Sequence, residues 1–210
     1  MTLLAVPTLM LATGNSGKVA ELSALLALHP VLAGISLLTP RDWPHPLPDV
    51  EETGATFEEN ALLKARALAG ATGLPALADD SGLCVDALGG APGVYSARWA
   101  GPDADDARRN EKLLARLAGV PSPQRAARFI CAVALALPDG AAHTAEGACE
   151  GEILEAPRGE GGFGYDPLFL LPDLGCTMAE LTSDRKNARS HRARAVAGLA
   201  LRLARLLSAV

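Results

Sequence analysis

Apolar positions along the chain fall into two rhythms, and together they predict a mixed α and β order. Leu9-Met10-Leu11-Ala12-Thr13 is a short unbroken apolar run halted by Gly14, which predicts a buried strand. From Ser16 the spacing changes to that of a helix, with Val19, Leu22, Leu25 and Leu26 on one face and a stop near His29-Pro30. Pro40, Pro44, Pro46 and Pro48 make residues 39–50 a rigid irregular connection. Thr56-Phe57-Glu58-Glu59 fits a capping box and predicts a helix over about 57–70. Pro75-Ala76-Leu77-Ala78 predicts a second short strand, ending at Asp79-Asp80-Ser81-Gly82. Glycine and proline pairs between 89 and 102 predict loops, and a helix over about 104–118 buries Leu113, Leu114 and Leu117. Phe129–Leu137 and a strand reaching about Glu152 flank the turn signal Pro138-Asp139-Gly140, a long hairpin. Gly159, Gly161, Gly162 and Gly164 mark a loop. A last helix from about Ser190 turns Val196, Leu199, Leu203 and Leu206/Leu207 inward.

Composition narrows the class. With 210 residues, the chain is long enough for one domain or two intimate lobes around a real core. Apolar residues at 49% and charged residues at 20% describe a globular protein, not a disordered one. The formal charge of −5 argues against a coat for nucleic acid or for an anionic membrane. That charge is unevenly spread: residues 185–210 hold seven basic and no acidic side chains, leaving −12 on residues 1–184. No apolar run reaches the ~18–20 residues of a membrane span, and residues 1–10 lack the marks of a secretory leader. Cys84, Cys131, Cys149 and Cys176 are scattered, which fits reduced thiols in a cytoplasmic protein better than a disulfide framework or a zinc site.

Four segments carry candidate chemistry. Thr13-Gly14-Asn15-Ser16-Gly17-Lys18 links a strand to a helix N-terminus, where free N–H groups, glycines and a lysine suit a phosphate. It lacks the spacing of a Walker A loop, and an ordinary turn with an exposed lysine fits it equally. Asp79 and Asp80 stand at the end of a strand, where α/β sheets bind ligands, and in extended chain they point to opposite sides. Such carboxylates suit Mg²⁺ or a general base, a reading favoured over a simple Asx turn because two unpaired carboxylates are costly beside a buried strand. Phe163-Gly164-Tyr165-Asp166 either offers an aromatic face to a planar base or simply packs. Lys186 and Ser190-His191-Arg192, at the start of the last helix, either hydrogen-bond a base or form a solvated basic end. Glu51-Glu52 and the i, i+4 pair Asn60 and Lys64 would pass unremarked alone.

Taken in order, these segments form a set. Thr13-x-Asn15-x-x-Lys18, Glu52-Thr-Gly-x-Thr-Phe-x-Glu-Asn60, Asp79-Asp-Ser-Gly-Leu83, Leu88-Gly-Gly-Ala-Pro-Gly-Val-Tyr-Ser-Ala-Arg98, Phe163-Gly-Tyr-Asp-Pro167 and Ser190-His-Arg192 closely resemble the inosine/xanthosine triphosphate pyrophosphatase family. The resemblance runs from about Leu9 to Arg205, with Arg189 a departure where the family more often has an apolar residue. It implies one α/β domain over 1–210, with a long central mixed β-sheet and flanking helices forming two lobes around a nucleotide cleft. It implies a homodimer that hydrolyses dITP, ITP or XTP with Mg²⁺ to the monophosphate and pyrophosphate. Residue by residue it implies that Thr13 to Lys18 (with Gly14, Asn15, Ser16 and Gly17) hold the triphosphate. Asp80 becomes the general base and a metal ligand, Glu52 a second metal carboxylate, and Ser81 a substrate contact. Phe163, Gly164, Tyr165 and Asp166 line the base pocket, and Lys186, His191 and Arg192 contact the nucleotide, chiefly its base; Lys64 and Arg98 follow from motif membership alone. A hydrolase for other nucleotides, a non-catalytic nucleotide binder and a nucleic-acid partner using the basic last helix are the rival readings. Acidic groups beside phosphates argue against the second, and the net charge argues against the third.

Overall fold

The computed structural model describes residues 7–32 and 34–207. Seven strands form one mixed sheet in the order β2-β1-β3-β4-β5-β6-β7. They are β1 (Thr8–Leu11), β2 (Ser36–Leu38), β3 (Ala76–Val85), β4 (Ala126–Ala136), β5 (Ala142–Ile153), β6 (Phe169–Leu171) and β7 (Cys176–Thr177). Five α-helices accompany them: α1 (Ser16–Ala27), α2 (Phe57–Thr72), α3 (Asp106–Arg116), α4 (Ser183–Asn187) and α5 (His191–Leu207). The fold is α/β, as expected. Its residues divide into two compact units, one from Met1–Asp80, Ala132–Gly147 and Arg192–Val210, the other from Ser81–Cys131 and Ala148–His191.

In the first unit β1 pairs in parallel with both β2 and β3, through Leu9 with Leu37 and Met10 with Ala76. Parallel strands buried on both faces need continuous apolar runs, and Leu9, Met10, Leu11, Ala76, Leu77 and Ala78 supply them. The capping box at Thr56 forms as the sequence predicts, and Gly73 ends α2 in the left-handed conformation (φ 67°). Such a cap stabilises a helix by about 1 kcal/mol. The buried face of α2 is Phe57, Ala61, Ala65, Leu68 and Ala69, where small side chains let the helix axis lie close to its neighbours. In α5, Val196, Leu199 and Leu203 are buried as expected, while Leu206 and Leu207 have side chains outside the described residues.

The second unit has its own core, in which Leu83, Val85, Leu113, Leu117, Phe129, Tyr165, Leu168, Phe169 and Met178 pack together. Leu113 of α3 and its C-cap Leu117 are buried and Leu114 is partly buried, matching the predicted stripe. Arg125 closes this helix: its guanidinium is buried and donates to the carbonyls of Leu117, Val120 and Leu154 at 2.9–3.1 Å. A cation is favoured where a helix ends in unpaired carbonyls.

Two expectations fail. β3 does not stop at Ala78 but continues through Asp79-Asp80-Ser81-Gly82 to Val85. The acidic pair needs no turn, because each carboxylate finds a cation while the backbone stays extended. Lys186 is not in the last helix. It sits in the separate short α4, capped by Thr182, and α5 starts only at His191.

One close contact gives a test. Gly151 of β5 faces β6, and a Cβ there would lie 2.5 Å from both the Leu170 carbonyl oxygen and the Phe169 ring. Gly151→Ala is expected to destabilise the protein by about 1–3 kcal/mol, the usual range for overpacking. A lower urea midpoint at unchanged slope would show it.

Candidate functional site

The turn from β1 into α1 is built by its own polar side chains. Asn15 is the N-cap of α1, its Oδ1 accepting the Lys18 N–H at 3.1 Å, while the Asn15 N–H donates to Thr13 Oγ1 at 3.2 Å. Beside this turn lies a hollow of about 200 Å³, lined by Thr13, Gly14, Ser16, Val19, Ala20, Thr39 and Arg41. Nothing lies within 4 Å of the place a Gly14 Cβ would occupy, so the backbone there is open to an incoming group.

The Lys18 ammonium meets Asp79 Oδ2 at 3.1 Å. The same oxygen accepts from Arg192 Nε and Nη2 at 3.2 and 3.0 Å, and Arg192 Nη1 also pairs with Glu21. Arg192 is thus drawn into the interior, 1% exposed, among carboxylates from β3 and α1. Burial pushes the Asp79 carboxyl up, but the charges of Lys18, Arg192 and Lys64 outweigh it and hold the group well below the ordinary carboxylate range.

Asp80 meets a different helix. Its Oδ1 lies 3.2 Å from Lys64 Nζ, which is 2.7 Å from Glu52 Oε1, and its Oδ2 accepts from Asn60 Nδ2 at 3.2 Å. Asn60 is fully buried and its Oδ1 accepts the Gly54 N–H at 2.7 Å, so one side chain ties the loop carrying Glu52 to the carboxylate of β3. Only glycine allows this approach, since a Cβ on Gly54 would come within 2.7 Å of Asn60 Oδ1. Burial and the nearby Glu52 raise the Asp80 carboxyl above its ordinary value against the pull of Lys64. Lys64 is lowered by burial, yet Asp80, Glu52 and Asp79 more than compensate and keep it charged. The two neighbouring carboxylates are therefore pushed in opposite directions, as a base poised to accept a proton and a fixed anion would be.

The second unit holds the remaining candidates. Asp166 is buried, its Oδ2 accepting the Phe163 N–H at 3.0 Å and Lys186 Nζ at 2.6 Å. That ammonium also lies 4.8 Å from the centre of the Phe163 ring. Phe163, Gly164, Asp166 and Lys186 form one cluster. Tyr165, by contrast, packs in the core with its hydroxyl donating to the Ser96 carbonyl at 2.9 Å, and burial pushes its pKa up. The His191 ring stacks on Phe129 at 4.9 Å. Ser81 is half-buried in β3, and Arg98 lies over the exposed Tyr95 ring at 5.0 Å. Glu21, Arg41 and the bridging role of Asn60 escaped the sequence reading; only the pairing of Asn60 with Lys64 on one helix face hinted at them.

The profile of the Ham1 family matches residues 9–201. The chain belongs to the Ham1 family. Among its relatives, a dITP/XTP pyrophosphatase of Geobacillus kaustophilus is 54% identical over 191 residues, covering 91% of each chain. A dITP/XTP pyrophosphatase of Thermus thermophilus is 56% identical over 190 residues, covering 90% of this chain and 88% of its own. The structure of a HAM1 protein from Coxiella burnetii superimposes with a TM-score of 0.82 at 45% identity, covering 94% of this chain and 98% of the other. Outside these names, no cluster of three or more His, Cys, Asp or Glu with metal-binding geometry occurs among the described residues. No helix among them is long and apolar enough to cross a membrane.

Asp79→Asn removes one partner of a buried ion pair and is expected to cost about 3–5 kcal/mol at neutral pH. Because the folded carboxyl titrates below its ordinary value of 3.8, its contribution is complete above that value and is lost as pH falls beneath it. Urea midpoints measured along an acid series should therefore fall for the wild type and change less for the variant.

Proposed function

We propose that the protein hydrolyses non-standard purine nucleoside triphosphates, dITP, ITP or XTP, to the monophosphate and pyrophosphate. The observation that carries the reading is the pair of carboxylates Asp80 and Glu52 meeting on one lysine, with Asp80 raised toward a general base. The relatives' printed names supply the substrate class.

Thr13 to Lys18 are assigned to the phosphates, with the open backbone at Gly14 and the N-terminus of α1 supplying N–H donors. Asp80 takes the proton from a water that attacks the α-phosphorus, and the α–β bond breaks with its electron pair leaving on pyrophosphate. Ser81 follows as a substrate contact. Glu52 and Asp80 are the residues that would hold Mg²⁺. The fit rests on their chemistry: both are hard oxygen donors, and Lys64 already stands between them as a positive charge. When bound, the ion would neutralise charge on the phosphate oxygens. Phe163 is assigned to stack on the base, with Gly164 and Asp166 shaping its loop and Lys186 and His191 as donors to purine O6. Adenine shows an amine at that position, so two donors would face each other, a penalty that rejects it, whereas guanine shares O6 and is rejected at its 2-amino group by shape or unpaired groups. Arg192, already held by Asp79 and Glu21, is assigned to fixing Asp79, and Tyr165 to packing behind Phe163. The whole chain acts as one catalytic domain of two lobes, in a cytoplasmic homodimer; four unbridged cysteines are in keeping with a reducing compartment.

Purified protein with Mg²⁺ should release pyrophosphate from dITP, ITP and XTP and far less from ATP and GTP. Release of orthophosphate alone, or silence toward ITP and XTP, would sink the assignment. Asp80→Asn should retain nucleotide binding while kcat falls about 10²–10⁴-fold, the usual worth of a general base.

A further inference from the structure

Helix α3 holds the loop assigned to the base by both ends of a single peptide residue. Asp106 Oδ2 accepts the Gly164 N–H at 2.7 Å, and Asn110 Nδ2, one turn along the same helix face, donates to the Gly164 carbonyl at 2.9 Å. Gly164 has φ 64°, a conformation only glycine adopts readily, so its backbone is otherwise free to swing. Arg109 of the same turn pairs with Asp106 and donates to the carbonyls of Ala97 and Ala104 at 2.8 and 2.6 Å. On the other side, Asp166 Oδ2 accepts the Phe163 N–H. The backbone of residues 163 and 164 is thus fixed by three side chains, two of them from a helix that carries no residue assigned to chemistry.

We propose that Asp106 and Asn110 are positioning residues that set the height and tilt of the Phe163 ring beside Lys186, and thereby the affinity for the purine. The inference rests on the reading of Phe163 as the base platform. Each clamp bond is side chain to backbone, one of them to a carboxylate, so losing either frees the loop at a cost large enough to measure. The consequence falls on the base end of the substrate alone, since neither residue contacts Thr13 to Lys18, Glu52 or Asp80 through any hydrogen bond or ion pair described.

Asn110→Asp is the decisive variant, because it changes no volume and replaces the donor to Gly164 by an acceptor. With dITP, Asn110→Asp and Asp106→Ala should each raise KM about tenfold with kcat unmoved, tenfold being 1.4 kcal/mol. The inhibition constant of inorganic tripolyphosphate, which has no base, should stay at the wild-type value in both variants. Asp106→Asn keeps an oxygen for the Gly164 N–H and should restore most of the affinity. An unchanged KM in Asn110→Asp, or a loss of kcat and tripolyphosphate binding in parallel with KM, overturns the proposal. Phe163→Ala separates the two readings: a large rise in its KM beside silent clamp variants rejects the clamp alone, whereas a wild-type KM rejects the platform and the clamp with it.

Discussion

Two adjacent carboxylates inside a buried strand must each be met by positive charge, and the first unit is arranged around that requirement. An ionised carboxylate removed from water without a partner costs several kcal/mol. The pleat of β3 sends Asp79 and Asp80 to opposite sides. Asp79 therefore collects Lys18 from α1 and Arg192 from α5, while Asp80 collects Lys64 and Asn60 from α2. Three helices distant in sequence are pinned to two consecutive residues. Apolar packing presses these helices onto the sheet without direction; the ion pairs specify which residue meets which.

The division of labour follows from the number of cations on each side. Asp79 faces two cations directly and stays an anion. Asp80 faces one, which it shares with Glu52, and so is left nearer to accepting a proton. Neighbouring carboxylates pushed apart in this way are the usual sign of an acid–base site. Lys64 lies between Glu52 and Asp80, the two carboxylates that would hold a divalent cation, so it supplies the positive charge that such an ion would otherwise bring to them.

Elements with strong local signals were readable from sequence. The Thr56 capping box, the α1 stripe of Leu22, Leu25 and Leu26, and the turn at Pro138-Asp139-Gly140 each depend on residues within a few positions of one another. What escaped depends on distance. Asp79-Asp80-Ser81-Gly82 reads locally as a turn and becomes strand only because Lys18, Arg192 and Lys64 arrive from elsewhere. β6 and β7, three and two residues long, carry no periodicity to detect. Within the candidate site, motif matching pointed to Asp80, Glu52 and Lys64, which the structure brings together, but it could not tell that Arg192 turns inward to Asp79 or that Tyr165 packs. A cation near a helix start looks the same in sequence whether it faces solvent or a buried carboxylate.

The way the chain passes between its two units has a consequence for whether either can be had alone. Three of the passages fall inside β3, β4 and β5, and the fourth falls between the first two residues of α5. None is a linker. Neither unit is a contiguous stretch of chain, and no single cut releases one intact. The passage in β3 lies between Asp80 and Ser81, inside the acidic motif itself. Separating the two units would therefore break three strands and the start of α5, the acidic strand β3 among them.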